Sequence, residues 1–277
     1  MIKEIIKSEF EIIIPLLSKK KVNLEVKSII KSINPGRIFV DSVNQPKSAM
    51  IWSDGQKGFY FIGDEKNIEF NQSLNDFIDF ELKEKCIDLG LNRFEFSGET
   101  ENWNPTFFEI FKHRDLNISK QMIFRIEKKD WKDYSKRLNT TYYKLYKIDK
   151  SLILNKKYRN TDFLIDEILR WWSSIEDFLE KSHGFCMIDH DTITNYSIGN
   201  FYFDQVMTIG IETLKKYRRK GLSQITCEAF IEECFKDNIT IQWECMKENL
   251  PSYKLAEKMG FNKMSEYSLF SFPWMSK

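Results

Sequence analysis

The sequence predicts an α/β fold with a mixed sheet (α+β in the order of its parts), built twice along the chain. Three observations carry this. Thr208–Phe261 alternates strand, turn, helix, strand and helix, the order of a sheet whose strands are joined through helices. Elsewhere the apolar residues switch repeatedly between period two and helical spacing. A length of 277 residues exceeds what one hydrophobic core ordinarily fills, so two domains are expected.

Glu4–Leu17 and Val22–Ile33 carry apolar residues at helical spacing and are expected as amphipathic helices, the second ended by Asn34-Pro35-Gly36. Arg37–Asp41, Ser48–Trp52 and Phe59–Gly63 are short extended runs, separated by turns containing Pro46 and Gly55. Phe70–Leu89 is expected as one helix, Arg93–Ser97 as a strand and Pro105–Lys112 as a short helix. A new extended segment, Gln121–Glu127, leads into the charged stretch Lys128–Lys136, and the domain boundary is placed at 125/126. The second half then gives strand Tyr142–Lys147, helices around Ser151–Leu154 and Leu164–Glu180, and strands Gly184–His190, Ile193–Phe203 and Val206–Thr213. Helix Leu222–Lys236, strand Thr240–Cys245, helix Ser252–Met259 and a strand near Ser268–Phe272 complete it. Both halves thus follow one plan, helices, then three antiparallel strands, then helix–strand–helix.

Composition narrows the function classes. Hydrophobic residues make up 42% and aromatics 15%, enough for globular cores. Forty-two Lys and Arg against 41 Asp and Glu leave a net charge of +1. No global field recruits nucleic acid or an anionic membrane, so neither is expected as a partner. The five cysteines (Cys86, Cys186, Cys227, Cys234, Cys245) are scattered without a CxxC pair, and three histidines add no ligand spacing. Neither a metal site nor a disulfide framework is expected. The apolar stretch Phe10–Leu17 is too short for a membrane span. Reduced thiols and the lack of an export signal lead to an expected cytoplasmic location.

The chemistry concentrates at Arg218-Arg219-Lys220-Gly221-Leu222-Ser223. A helix start leaves backbone N–H groups without intrahelical partners and carries partial positive charge. An anion is held there when no Cβ blocks its approach. Gly221 removes that block, Ser223 offers a hydroxyl, and three cationic side chains add charge. The pattern is neither GxxxxGK[ST] nor GxGxxG, which sets aside the P-loop and the dinucleotide fingerprint. One basic cluster without interleaved stacking aromatics beyond Tyr217 also argues against a nucleic-acid patch.

Arg218-x-x-Gly221-x-Ser223 resembles the [QR]xxGx[GA] turn of the GNAT (GCN5-related) N-acetyltransferases, with Ser223 in place of the last small residue. Asn249-x-x-Ser252-x-x-Leu255-Ala256-x-Lys258-x-Gly260-Phe261 resembles the second signature of that family. Gly36–Asp41, Pro46–Ala49, Phe61–Asp64, Gly184–Cys186, Tyr217–Leu222 and Trp243–Cys245 are similar to a bacterial subfamily that includes zwittermicin A resistance acetyltransferases. The resemblance implies a tandem GNAT fold with a degenerate amino-terminal half, where Gly63-Asp64-Glu65-Lys66 replaces the basic turn. It implies acetyl-CoA as co-substrate, no metal, a small-molecule amine acceptor (an antibiotic or a metabolite), and a monomer or homodimer. Cofactor binding falls to the backbone of Ile211 and Thr213, the turn Arg218, Arg219, Lys220, Gly221, Leu222 and Ser223, and Asn249 with Ser252.

Acetyl transfer also needs a base for the amine and an acid for the departing thiolate. Glu244 is the leading base, next to the expected splay of Ile209–Thr213 from Thr240–Cys245, where backbone N–H groups face the developing oxyanion. Glu212 is the weaker alternative, and a solvent-facing Glu244 the bland one. Many relatives place a tyrosine where this chain has Ala256; Tyr253, one turn earlier, is the candidate acid, against a packing role. Cys245 invites an acyl-cysteine route, but no histidine adjoins it, and direct attack in a ternary complex is the expectation. His190 reads as a surface turn, and Trp171 and Trp172 as one core and one pocket-wall residue. Asp162, Asp166 and Glu167 fit a cationic amine or a solvated helix face equally. A non-catalytic acyl-CoA-binding module is the alternative to an enzyme.

Overall fold

The computed structural model describes residues 2–18, 23–132 and 142–274. The chain folds as two compact units, one of Met1–Gln121 with Glu266–Lys277, the other of Met122–Ser265. The division at 125/126 read from sequence assigns the carboxyl terminus to the second domain; by compactness, residues from Glu266 on lie with the first.

The first unit opens with strand β1 (Lys3–Ile5) and a 3-10 helix, Lys7–Leu16. The amphipathic α-helix expected over Glu4–Leu17 is therefore not formed. The run Ile12-Ile13-Ile14 resists helical χ1 angles, and Pro15 lacks the N–H that an α-helix would use. Helix α1 (Leu24–Ile30) precedes the antiparallel strands β2 (Gly36–Val40), β3 (Ser48–Ser53) and β4 (Phe59–Gly63). Val22 of the expected second helix falls outside the described residues. Helix α2 (Ile68–Phe77) continues through a π-helical turn, Ile78–Leu82, into α3 (Lys83–Asp88). Its buried residues Phe70, Leu74, Ile78, Leu82 and Cys86 recur every fourth position. In a regular α-helix that repeat drifts about 40° per step, and the wider π turn returns the stripe to one face. Strand β5 (Arg93–Gly98) pairs parallel with β4, and helix α4 (Trp103–Ile110) follows.

Strand β6 (Asn117–Ile126) carries the chain into the second unit. There β7 (Tyr143–Lys147) and the short α5 (Lys150–Ile153) precede α6 (Thr161–Trp171) and α7 (Ile175–Lys181). One helix was expected over Leu164–Glu180. It breaks because Trp172 turns extended and the Ser174 hydroxyl accepts the Asp177 amide at 3.0 Å, capping a new helix. Strands β8 (Gly184–Asp189), β9 (Thr192–Phe203) and β10 (Val206–Thr213) form an antiparallel meander. Helix α8 (Leu222–Lys236) crosses to β11 (Thr240–Met246), and α9 (Leu250–Lys258) leads to β12 (Asn262–Pro273). Lys128–Asp130 is a 3-10 turn, and the rest of the charged stretch to Lys136 is largely outside the described residues.

Each unit therefore holds a three-stranded antiparallel meander whose last strand gains a parallel neighbour through a helical crossover. The strand order is β1-β2-β3-β4-β5-β12 in the first and β6-β11-β10-β9-β8-β7 in the second. In the first unit, Phe59, Phe61, Phe94 and Phe96 pack against Phe70 of α2 and Phe107 of α4, while Ile38, Val40 and Ile51 pack with Val26 and Ile29 of α1. In the second, Ile241, Trp243 and Cys245 pack against Cys227, Phe230 and Ile231 of α8 and Ala256 of α9.

Candidate active site

Strands β10 and β11 pair at Val206↔Thr240, Met207↔Ile241 and Thr208↔Gln242. Both continue, β10 to Thr213 and β11 to Met246, so they part after Thr208 and Gln242. On its other edge β10 carries a bulge between Met207 and Ile209, where the Thr208 hydroxyl accepts the Phe201 N–H at 2.8 Å. A bulge sharpens local twist, which turns the end of β10 away from its parallel neighbour. From Ile209 on, the β11-facing edge of β10 has no strand partner among the described residues. Ile211 and Thr213 lie on this edge.

The strand ends over buried Tyr217, which packs with Met187 and Leu222. Arg218 is extended, Arg219 is left-handed at φ 65°, and Gly221 is left-handed at φ 77° where α8 begins. Glycine takes that conformation without a Cβ penalty. No side chain caps α8; the first amide to return to the turn is Gln224, donating to Gly221 O at 3.1 Å. Among the described residues, the amides from Arg219 to Ser223 meet no acceptor. They form a donor set at the positive end of a 15-residue helix. Beneath it, the Ser223 and Thr213 hydroxyls lie 2.8 Å apart, and Thr226 accepts from Asn195 at 2.9 Å and Ser197 at 2.8 Å. These buried bonds fasten the helix start to the sheet.

The three cations of the turn divide their tasks. Arg218 donates through Nε to Thr213 O at 2.9 Å and through its terminal nitrogen to Glu212 at 3.0 Å, acting as a strut between strand and turn. Lys220 donates to the Tyr143 hydroxyl at 3.0 Å, which raises its pKa, and stands 5.0 Å from the Tyr217 ring centre. Arg219 is exposed and has no partner among the described residues. Leu222 is buried in the core, so only its backbone faces the turn.

Alternation along β11 sends Trp243 and Cys245 toward α9 and Gln242 and Glu244 to the opposite face. Asn249 caps α9, accepting the Ser252 amide at 3.3 Å, and the Ser252 hydroxyl accepts the Trp243 indole N–H at 3.0 Å. Both residues thus brace the helix beside the opened strands. Half-buried Glu244 accepts from Gln242 Nε2 at 2.6 Å, and Gln242 accepts from Arg125 Nε at 2.8 Å.

A GNAT acetyltransferase family model matches residues 14–270. The chain belongs to the GNAT acetyltransferase family. Bacillus subtilis (strain 168) YdfB, named an uncharacterized N-acetyltransferase, is 25% identical over 271 residues, 98% of each chain. A GCN5-related N-acetyltransferase-like protein from Streptococcus suis superposes with a TM-score of 0.64 at 15% identity, covering 96% of this chain and 98% of its own. A tandem GNAT protein from the clavulanic acid biosynthesis pathway gives 0.61 at 8% identity over 100% of both chains. These similarities agree on the mixed α/β GNAT fold across the whole length.

Within this GNAT chain, Ala256 is fully buried in the second unit's core. Tyr253 is half-buried, edge-on to Phe124 at 5.7 Å, and donates its hydroxyl to Glu257 at 2.6 Å. That bond raises the tyrosine pKa, as burial does more weakly. Cys245 is also pushed up, by burial, against a smaller opposing effect from Ser252. Trp171 and Trp172 are both buried; Trp172 donates to Gly199 O at 2.8 Å and Trp171 to Glu167 at 2.9 Å. Asp162 and Asp166 are exposed, and His190 is an exposed left-handed turn residue. Among the described residues no cluster of three His, Cys, Asp or Glu could hold a metal ion. No described helix is long and apolar enough to cross a membrane.

Sequence reasoning missed Gln242, Arg125 and Tyr143. Alternation alone pairs Gln242 with Glu244 on one face and offered a signal. Arg125 and Tyr143 arrive from strands far off in sequence, and nothing local marks them.

Proposed function

We propose that this chain is an acetyl-CoA-dependent N-acetyltransferase that acetylates a primary amine of a small polar molecule by direct attack in a ternary complex. The single observation that carries it is the parting of β10 from β11 after Thr208 and Gln242, beside a helix start whose amides lack acceptors. The pantetheine arm lies along the open edge of β10 at Ile211; at Thr213, expected to share that role, the amide already donates to Glu212 Oε1 at 3.0 Å and the carbonyl accepts Arg218. The pyrophosphate meets the amides of Arg219–Ser223, with the Arg219 side chain as its counter-charge. Arg218 and Lys220 hold the turn in shape, and Asn249 with Ser252 sets the far wall. The amine nitrogen bonds to the thioester carbonyl carbon while its proton passes to Glu244. Backbone N–H groups along the parted strands stabilise the charge on the carbonyl oxygen. The C–S bond then breaks, and the thiolate takes its proton from Tyr253, which leaves Glu257 to deliver it; water restores both groups.

Ala256 and the Tyr253–Glu257 bond favour one second reading, a non-catalytic acyl-CoA-binding module. Thiol release from acetyl-CoA with spermidine, tyramine and glucosamine separates the two. The enzyme turns over at least one amine class, and the module binds CoA with turnover of none. Glu244→Gln is expected to lower kcat about 100-fold, the ordinary contribution of a general base. An unchanged pH–rate profile removes Glu244 from the role.

A further inference from the structure

We propose that Gln242 is the positioning residue for Glu244, and that Arg125 fixes which way Gln242 points. This rests on the reading of Glu244 as the base. Gln242 is the last β11 residue paired with β10, so it sits at the apex where the strands part. It is 2% exposed, and a buried primary amide must satisfy both its oxygen and its nitrogen.

The two ends find chemically opposite partners. Arg125 Nε donates to Gln242 Oε1 at 2.8 Å. A guanidinium is only a donor, so the amide oxygen must face it and the amide cannot flip without a donor–donor clash. The amide nitrogen is thereby turned toward Glu244, donating to Oε1 at 2.6 Å. A carboxylate two residues further along the same strand face accepts that bond only in a narrow range of side-chain angles. The result is a three-residue relay, Arg125 to Gln242 to Glu244, running from β6 to the mouth of the parted strands. It points one carboxylate at a fixed place on an edge where long side chains otherwise sample several rotamers.

The test is a double-mutant cycle in the full chain, using acetyl-CoA and the fastest amine among spermidine, tyramine and glucosamine. Gln242→Met keeps the volume and removes the amide. It is expected to lower kcat about 10-fold, the loss of one hydrogen bond to a charged group, with acetyl-CoA affinity unchanged. In the Glu244→Gln background the same substitution is expected to change kcat less than 2-fold, because the group it orients no longer acts. Arg125→Lys, still only a donor, retains most of kcat, whereas Arg125→Met lowers it with Gln242→Met. A 10-fold loss from Gln242→Met that persists undiminished in the Glu244→Gln background, or no loss from Gln242→Met, overturns the positioning role while leaving Glu244 as base. Glu244→Gln without effect, or no turnover by the unaltered protein, overturns the function on which it rests. Should Gln242→Met fail to bind acetyl-CoA, the Arg125 pair decides: equal kcat for Lys and Met sinks the relay.

Discussion

The two units carry the same strand–helix–strand crossover and treat it in opposite ways. In the second, β10 and β11 part after Thr208 and Gln242. In the first, β4 and β5 pair from Phe59↔Phe96 to Phe61↔Gly98, where β5 ends, and β4 runs only two residues further, to Gly63. The helix starts differ likewise. Gly221 leaves α8 uncapped, whereas Asn67 caps α2 by accepting the Phe70 amide at 3.3 Å. Asp64 accepts the Lys66 amide at 2.9 Å, and Asn67 donates onward to Asp41 at 2.7 Å. A phosphate at α2 would meet occupied amides and carboxylates. Shared topology thus leaves the start of a crossover helix either capped, as at α2, or with amides that lack acceptors, as at α8.

The largest expected effect breaks the contrast from the binding side. Gly221→Glu fills the left-handed position and adds negative charge where amides await an anion, removing one or two charge-assisted bonds of about 1.5–3 kcal/mol each. Calorimetry should show acetyl-CoA affinity falling about 100-fold; retained affinity would make the turn an ordinary helix start. Gly63→Ala probes the closed unit. Gly63 sits at φ +86°, and a Cβ there would lie 2.2 Å from Lys47 O. The substitution should cost about 2–3 kcal/mol of stability in urea with acetyl-CoA affinity intact, and a loss of affinity without a loss of stability would blur the division between the units.

The smallest effect is one of pH. Burial pushes the Glu99 carboxyl up to about 7 from 4.5, against the Ser18 amide that donates to it at 2.9 Å. The folded state then binds this proton more tightly than the unfolded chain between those values, so stability falls as pH rises through that window. Glu99→Gln should remove the fall, a gain held to about 1 kcal/mol or less at pH 8 by partial solvent screening and absent at pH 4. Equal urea midpoints for the two proteins at both pH values would show that Glu99 is not desolvated.

Legibility in the sequence followed the range of the interactions. Phe59–Gly63, Val206–Thr213 and Leu222–Lys236 were readable to the residue because alternation, helical spacing and Gly221 are local signals. The break at Trp172–Ser174 was not, since a serine cap competes with apolar spacing that continues through it. The π turn at Ile78–Leu82 was hidden in a four-residue repeat that passes for helical. Of the candidate site, the turn could be located but its division of tasks could not. Arg218 finds Thr213 and Glu212 nearby, whereas Lys220 depends on Tyr143 in another strand. The partner of β12 was likewise invisible, because its register with β5 joins residues at opposite ends of the chain.

That last pairing bears on synthesis. Phe270↔Phe96 through Pro273↔Arg93 closes the edge of β5, and Phe270 and Phe272 cover Phe94 and Phe96. On the ribosome, the amino-terminal unit emerges first yet lacks its final strand until the whole second unit has been made, on the order of ten seconds or more at ordinary elongation rates. Through that interval an aromatic edge strand stands bare to other nascent chains. The half of the molecule translated first is the half finished last.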